Sequence, residues 1–184
     1  MVKRSNSRNC GETEEDVVTK ASGITSRTIA AARSSCAACG ISGPALYKHF
    51  TSKQSVLAEM LVSISEELLR VGTERARESD PIAALVDWHV DFALRHRALI
   101  VVQDRDWESL PSEARERVRR LQRQYVDLWA QQLRVADHAP DLPTARAMAH
   151  AAFGLINSTP HSALLPDEQM RGVLTRMALA ALRG

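Results

Sequence analysis

Gly40-Ile41-Ser42-Gly43-Pro44-Ala45-Leu46-Tyr47-Lys48-His49-Phe50-Thr51-Ser52-Lys53 is the stretch that decides how this chain is read. Gly40 suits the left-handed backbone position that closes one helix and turns into the next. Ser42 is a good N-cap for the second of these helices, and Pro44 falls in its first turn, where the missing N–H costs nothing. Leu46 and Phe50 stand four apart and seat that helix on a core, leaving Gly43, Pro44, Ala45, Tyr47, Lys48 and His49 accessible. Small residues at the helix start admit it closely to a major groove, while Tyr47, Lys48 and His49 offer donors to phosphates. Thr51 or Ser52 then caps a further helix beginning near Lys53, whose N-terminus is a second phosphate site.

The same run resembles the signature of the TetR/AcrR (tetracycline-repressor-like) family of transcriptional regulators. That signature places a Gly, a hydrophobic residue and a Ser before a helix containing Tyr-x-His-Phe and a following Lys. Leu46, Tyr47, His49, Phe50 and Lys53 all stand at the family spacing. The resemblance implies an all-α protein, with an N-terminal helix-turn-helix DNA-binding head and a C-terminal helical effector-binding and dimerisation domain. It implies that Ser42, Gly43, Pro44, Ala45, Tyr47, Lys48, His49 and Lys53 meet double-stranded DNA, with residues 43–45 toward base edges and Tyr47, Lys48, His49 and Lys53 toward the backbone. It also implies a homodimeric repressor controlled by a small molecule. Two heads then read a roughly palindromic operator with half-sites about one DNA turn, or a multiple of it, apart.

Charge is distributed in keeping with a head and a body. The 184 residues carry a formal net charge of +2. Residues 1–53, however, hold all four lysines, Lys3, Lys20, Lys48 and Lys53, and are net basic, whereas residues 54–184 are slightly acidic and use only Arg as their base. A basic head on an acidic body fits a nucleic-acid reader joined to a sensing domain. The apolar runs, such as Ala98 to Val102, are too short to span a bilayer, and no basic start leads into an apolar signal core. A cytoplasmic protein without a membrane partner is expected. The odd cysteine count, Cys10, Cys36 and Cys39, argues against a disulfide framework. The Cys36-x-x-Cys39 pair lacks the further ligands of a tetrahedral metal site, so neither metal nor cofactor is expected, and a redox or metal protein using this pair stays as a rival reading.

Residues 1–39 fit the head poorly. They supply only Met1, Val2, Val17, Val18, Ile24 and Ile29 as bulky apolar side chains, and all eight aromatics lie between Tyr47 and Phe153. The resembled family places an amphipathic first helix with an aromatic here. Two readings stand: a divergent first helix, or an N-terminal segment altered so that it no longer packs on Leu46 and Phe50. The second leads to an alternative function, a dimeric helical ligand-binding or interaction protein with impaired DNA binding.

Beyond Ser52 the helical period is clear. Val56, Leu57, Met60, Leu61, Ile64, Leu68 and Val71 recur at three- and four-residue steps, predicting a long helix that ends near Gly72 or shortly beyond. Asp80 and Pro81 open a second, with Ile82, Leu85, Val86, His89, Phe92 and His96 along one side. Ala98 to Val102 reads as a short helix. A further helix starts at Leu110-Pro111 and places Val118, Leu121, Tyr125 and Trp129 inward, with Arg115, Arg117, Arg119, Arg120 and Arg123 on a solvated face interleaved with acids. Thr144 to Ser158 is rich in small residues, and Pro166-Asp167 opens the last helix. Trp88, His89, Phe92, Trp107, Tyr125, Trp129, His150, Phe153 and Asn157 come from successive segments and form the candidate effector pocket. Ala147, Ala151 and Gly154, with Met170, Val173, Leu174, Met177 and Ala181, form the candidate dimer interface.

No catalytic constellation is apparent. Gly40-Ile41-Ser42-Gly43-Pro44 imitates a nucleophile elbow, but Pro44 replaces its final Gly and no strand precedes it. There is neither a phosphate-binding glycine loop nor an H-E-x-x-H motif. His89 and His96 lie about two helical turns apart without an adjacent third ligand. The sequence therefore points away from an enzyme.

Overall fold

The computed structural model describes residues 53–139, 141–161 and 165–183. Six α-helices run through them: α1 (Lys53–Arg75), α2 (Pro81–Arg95), α3 (Arg97–Asp106), α4 (Ser112–Val135), α5 (Leu142–Ile156) and α6 (Asp167–Arg183). Short 3-10 turns follow α3 at Trp107–Ser109 and α5 at Thr159–His161, and the described residues contain no strand. The head residues, Ser42 to His49 among them, lie outside the described residues. Lys53 opens α1.

Local chemistry explains most of the boundaries. The Asp80 carboxylate accepts from the Ala83 N–H at 3.1 Å, capping α2 just ahead of Pro81. Asp141 caps α5 in the same way, accepting from the Thr144 N–H at 2.7 Å, with Pro143 in the first turn. Helix α4 ends where Asp137 adopts φ 57°, the left-handed turn residue, and the His138 N–H reaches back to the Leu133 carbonyl at 2.9 Å. The Ala98–Val102 run is helical and sits on α3 between two other helices, with no strand among the described residues to pair with.

The helices bury their stripes in two connected cores. One gathers Leu57, Leu61, Val62 and Ile64 of α1 with Phe92, Leu99, Val102, Leu110 and Val118. The larger gathers Leu85, Val86 and Val90 of α2, Tyr125, Trp129 and Leu133 of α4, Ala145, Ala149 and Ile156 of α5, and Met170, Leu174, Ala178 and Leu182 of α6. Helix α2 is buried on nearly all sides, which accounts for its almost continuous apolar sequence.

Helix α1 lies along α4, and the approach is set by Gly72, which continues the helix rather than ending it. A Cβ at Gly72 would stand 2.6 Å from the Cε2 atom of Tyr125. An ion pair at 2.5 Å between Arg117 and Glu66 ties the same two helices on the outside. Helix α6 is held to α2 and α3 by ion pairs as well: Arg183 with Asp80 at 2.6 Å, Arg171 with Asp91 at 2.6 Å, and Arg97 with Asp167 at 2.8 Å. The arginines of α4 behave as a solvated face: Arg115 pairs with Glu108 and Arg123 with Glu116. Exposed pairs of this kind contribute little each.

Candidate functional site

A cleft of about 570 Å³ opens between α1 and the rest of the body. Ile64, Ser65 and Leu68 of α1 form one side, with Leu99 and Ile100 of α3 nearby. His89 and Phe92 of α2, Leu121, Tyr125 and Val126 of α4, and Phe153 and Asn157 of α5 and its end form the other. Gln103, Asp104, Gln122, His150, Gly154, Ser158 and His161 also line it, which places Gly154, assigned from sequence to the dimer interface, at the cleft. Every described helix but α6 contributes, because an amphipathic bundle whose stripes face one axis leaves its largest void where the stripes meet.

Three flat rings lie close together in the wall. Tyr125 and Phe153 stack at 5.5 Å with 10° between their planes, and His89 stacks on Phe153 at 4.6 Å. Trp129 meets Phe153 edge-on at 5.0 Å and His89 edge-on at 5.9 Å, so it backs the wall without lining the cleft. Aromatic pairs in these offset and edge geometries add to simple burial.

The polar groups in this wall are unusual. His89 is 4% exposed, and neither ring nitrogen has a hydrogen-bond partner among the described residues; Asn157 comes near enough to favour a proton slightly, but its Oδ1 is also unpaired. Burial lowers the His89 pKa from 6.5 to about 4, so the ring is neutral at pH 7. The Tyr125 hydroxyl is buried and makes no hydrogen bond of normal geometry among the described residues. Burial pushes its pKa well above the usual phenol range, an effect that the nearby Trp129 indole offsets only in part. Among the described residues that line the cleft there is no Lys or Arg, and Asp104 is the one carboxylate.

A pH dependence of stability results. Above about 6.5 His89 is neutral in both the folded and unfolded chain, whereas between about 6.5 and 4 only the unfolded chain takes up the proton. Stability is therefore full above that window and falls as pH drops through it, by about 3 kcal/mol in all. Urea midpoints measured across the window should fall steeply for the native protein and much less for His89→Leu. Equal slopes would show that His89 is charged in the folded state.

Of the pocket residues expected from sequence, His89, Phe92, Tyr125, His150, Phe153 and Asn157 line the cleft. Trp88, Trp107 and Trp129 do not. Trp88 is buried elsewhere in α2, with the Arg95 guanidinium 5.5 Å from its ring centre, and Arg119 lies similarly over Trp107 at 5.3 Å. Trp88 packs into the larger core and Trp107 against the smaller one, each with an Arg adding a cation–π contact. The α1 and α3 residues of the cleft, Ile64, Ser65, Leu68 and Ile100, are not evident from sequence; their helical stripes are visible, but nothing in the spacing shows that they face a void.

On the outer side, Ala147, Ala151 and Gly154 of α5 are exposed or half-buried along one face, as are Met177, 51% exposed, and Ala181 of α6, with Val173 half-buried beside them. Met170 and Leu174, placed with them from sequence, instead fill the chain's own core. The stripe of α6 is wide enough to serve two faces, and the half ending in Leu182 points inward.

Residues 75–161 match the family model of the tetracyclin repressor-like C-terminal domain. In fold, the chain is similar to a bacterial regulatory protein of the tetR family from Rhodococcus RHA1, with a TM-score of 0.63 and 19% sequence identity over 90% of this chain and 91% of that one. No curated protein matches the chain. Among the described residues, no helix is long and apolar enough to cross a membrane, and no cluster of three or more His, Cys, Asp or Glu could hold a metal ion.

Proposed function

We propose that this chain, whose residues 75–161 match the tetracyclin repressor-like C-terminal domain, is a homodimeric DNA-binding repressor whose operator affinity is set by a small molecule held in the body. The single observation that carries the reading is the position of α1. This helix begins at Lys53, directly after the Gly40–Ser52 motif, and its Ile64, Ser65 and Leu68 line the aromatic cleft. A ligand that fills the cleft and prefers one tilt of α1 must move whatever is attached to the start of α1. The resulting change in operator affinity is bounded by the ligand's own preference between the two tilts.

DNA contact in this reading belongs to Ser42, Gly43, Pro44, Ala45, Tyr47, Lys48, His49 and Lys53. Tyr47, Lys48, His49 and Lys53 act on the phosphates, and residues 43–45 on base edges. Dimerisation belongs to the outward faces of α5 and α6. The scarcity of bulky apolar residues in 1–39 favours a second reading, in which the body binds ligand and dimerises but the head no longer holds DNA.

Titration of a mixed-sequence duplex at several salt concentrations separates the two. The repressor reading expects clear low-salt binding, with the Lys53→Ala variant weaker on all sequences and its salt slope reduced by about one. Pro44→Ser is expected to alter sequence preference with the slope unchanged. Absence of binding by a dimer that still takes up ligand would establish the second reading.

A further inference from the structure

We propose that the cleft selects an uncharged, ring-bearing molecule with a single hydroxyl or carbonyl head, which hydrogen-bonds to His89, Tyr125 and Asn157 while its ring lies on the Phe153 wall. The inference rests on the reading of the body as a ligand-binding domain and adds the chemistry of what is bound.

Three observations carry it. First, the cleft holds three polar side chains with buried atoms that make no hydrogen bond of normal geometry among the described residues: both nitrogens of His89, the hydroxyl of Tyr125 and the Oδ1 of Asn157, although Asn157 lies near the His89 ring and the Trp129 indole near the Tyr125 hydroxyl. His89 and Tyr125 are each 4% exposed, so bulk water does not supply what the protein withholds. Buried polar groups are almost always satisfied, and each one that is not calls for a specific partner such as a bound molecule. Second, these groups fit a neutral head. A neutral imidazole offers one donor and one acceptor, a phenol offers both, and an amide oxygen accepts. A hydroxyl or carbonyl can meet them, whereas a hydrocarbon leaves all of them bare. Third, the cleft itself offers a charged head no fixed counter-charge beside these groups; the nearest arginines, Arg119, Arg123 and Arg146, line an adjoining pocket that meets it at Gln122, Val126 and His150. The described lining contains no Lys or Arg to meet a carboxylate or phosphate, and Asp104, its one carboxylate, is an exposed residue. A buried charge without a partner is strongly disfavoured.

The ring preference comes from the wall itself. Tyr125 and Phe153 lie within 10° of parallel, and His89 is stacked on the same ring. A planar ring extends that stack at the offset distance aromatic pairs prefer. The volume of about 570 Å³ admits a two-ring skeleton and leaves room for substituents.

Four probes on one skeleton test this by calorimetric titration of the full-length protein at neutral pH: 2-naphthol, naphthalene, 2-naphthoate and 2-naphthylmethylammonium. The expected result is that 2-naphthol binds at least about tenfold more tightly than the other three. His89→Leu should lower its affinity about tenfold and leave naphthalene unchanged or improved. Should that variant fail to fold, judged by circular dichroism, Asn157→Leu supplies the same comparison at a less buried position. Equal or tighter binding of naphthoate or of the ammonium probe would overturn the proposal, as would naphthalene matching naphthol, or no binding of any probe. Low-salt DNA binding measured on the same preparation keeps the outcomes distinct. A chain that binds DNA but prefers a charged probe loses this inference and keeps the regulator reading, while a chain that binds neither loses both.

Discussion

Ala151→Glu combined with Met177→Glu is expected to leave a folded monomer in place of the dimer proposed for the native protein. Both side chains point away from the chain's own core: Ala151 is exposed on α5 and Met177 is 51% exposed on α6. Gly154, one turn on from Ala151, also lines the cleft, and a Cβ there would meet nothing within 4 Å, so packing within the monomer does not require a glycine at this position. Small residues with no internal reason to be small, beside an exposed methionine on the adjoining helix, are what a close helix-to-helix contact with a second copy requires. A two-fold interface repeats each substitution, so the pair places four carboxylates in one apolar patch. Each unpaired buried carboxylate costs several kcal/mol, which together exceeds what separates a micromolar from a millimolar dimer, about 4 kcal/mol. Sedimentation velocity over a wide concentration range checks the result. Because the residues lie outside the monomer core, the circular dichroism spectrum should not change, and a double variant that still sediments as a dimer would place the interface elsewhere.

Trp129→Ala is expected to cost about 3–5 kcal/mol, enough to leave a marginally stable body partly unfolded. Trp129 is fully buried and touches all three rings of the wall: Phe153 at 5.0 Å, His89 at 5.9 Å and Tyr125 at 6.1 Å. Its removal opens a cavity behind the cleft into which those rings can shift, so ligand affinity should fall along with stability. Trp129→Phe should cost far less. It keeps the aromatic contact, and it deletes an indole N–H that makes no hydrogen bond of normal geometry among the described residues. Urea unfolding of the two variants measures the difference. A loss below about 1 kcal/mol for Trp129→Ala would mean that the body repacks around this position rather than depending on it.

Much of the body is legible in the sequence because its signals are local. Helical periodicity marks the stripes of α1, α2 and α4, and the Asp80-Pro81 pair carries the cap of α2 in the sequence, whereas α5, read from Thr144, begins two residues earlier behind Asp141. The α4 arginines are solvated as their interleaved acids imply, with Glu108, Glu116 and Glu66 close enough to pair with them. Gly72 shows the limit. Its residue type marks a helix end, yet it is an interior residue kept small by the Tyr125 ring across the helix pair.

The sequence by itself thus determined the helical class and the order of the helices, which depend on neighbours within a few positions along the chain. Tertiary structure alone decided which aromatics share a wall, that Trp88 and Trp107 lie away from it, that Met170 and Leu174 turn inward while Met177 turns out, and that His89 is sealed without a partner among the described residues. The physical reason is that an amphipathic stripe fixes which side of a helix avoids water, but not whether that side meets another helix, a cleft or a second chain. That choice is made by packing between segments far apart in sequence, where a single ring such as Tyr125 sets how closely two helices approach.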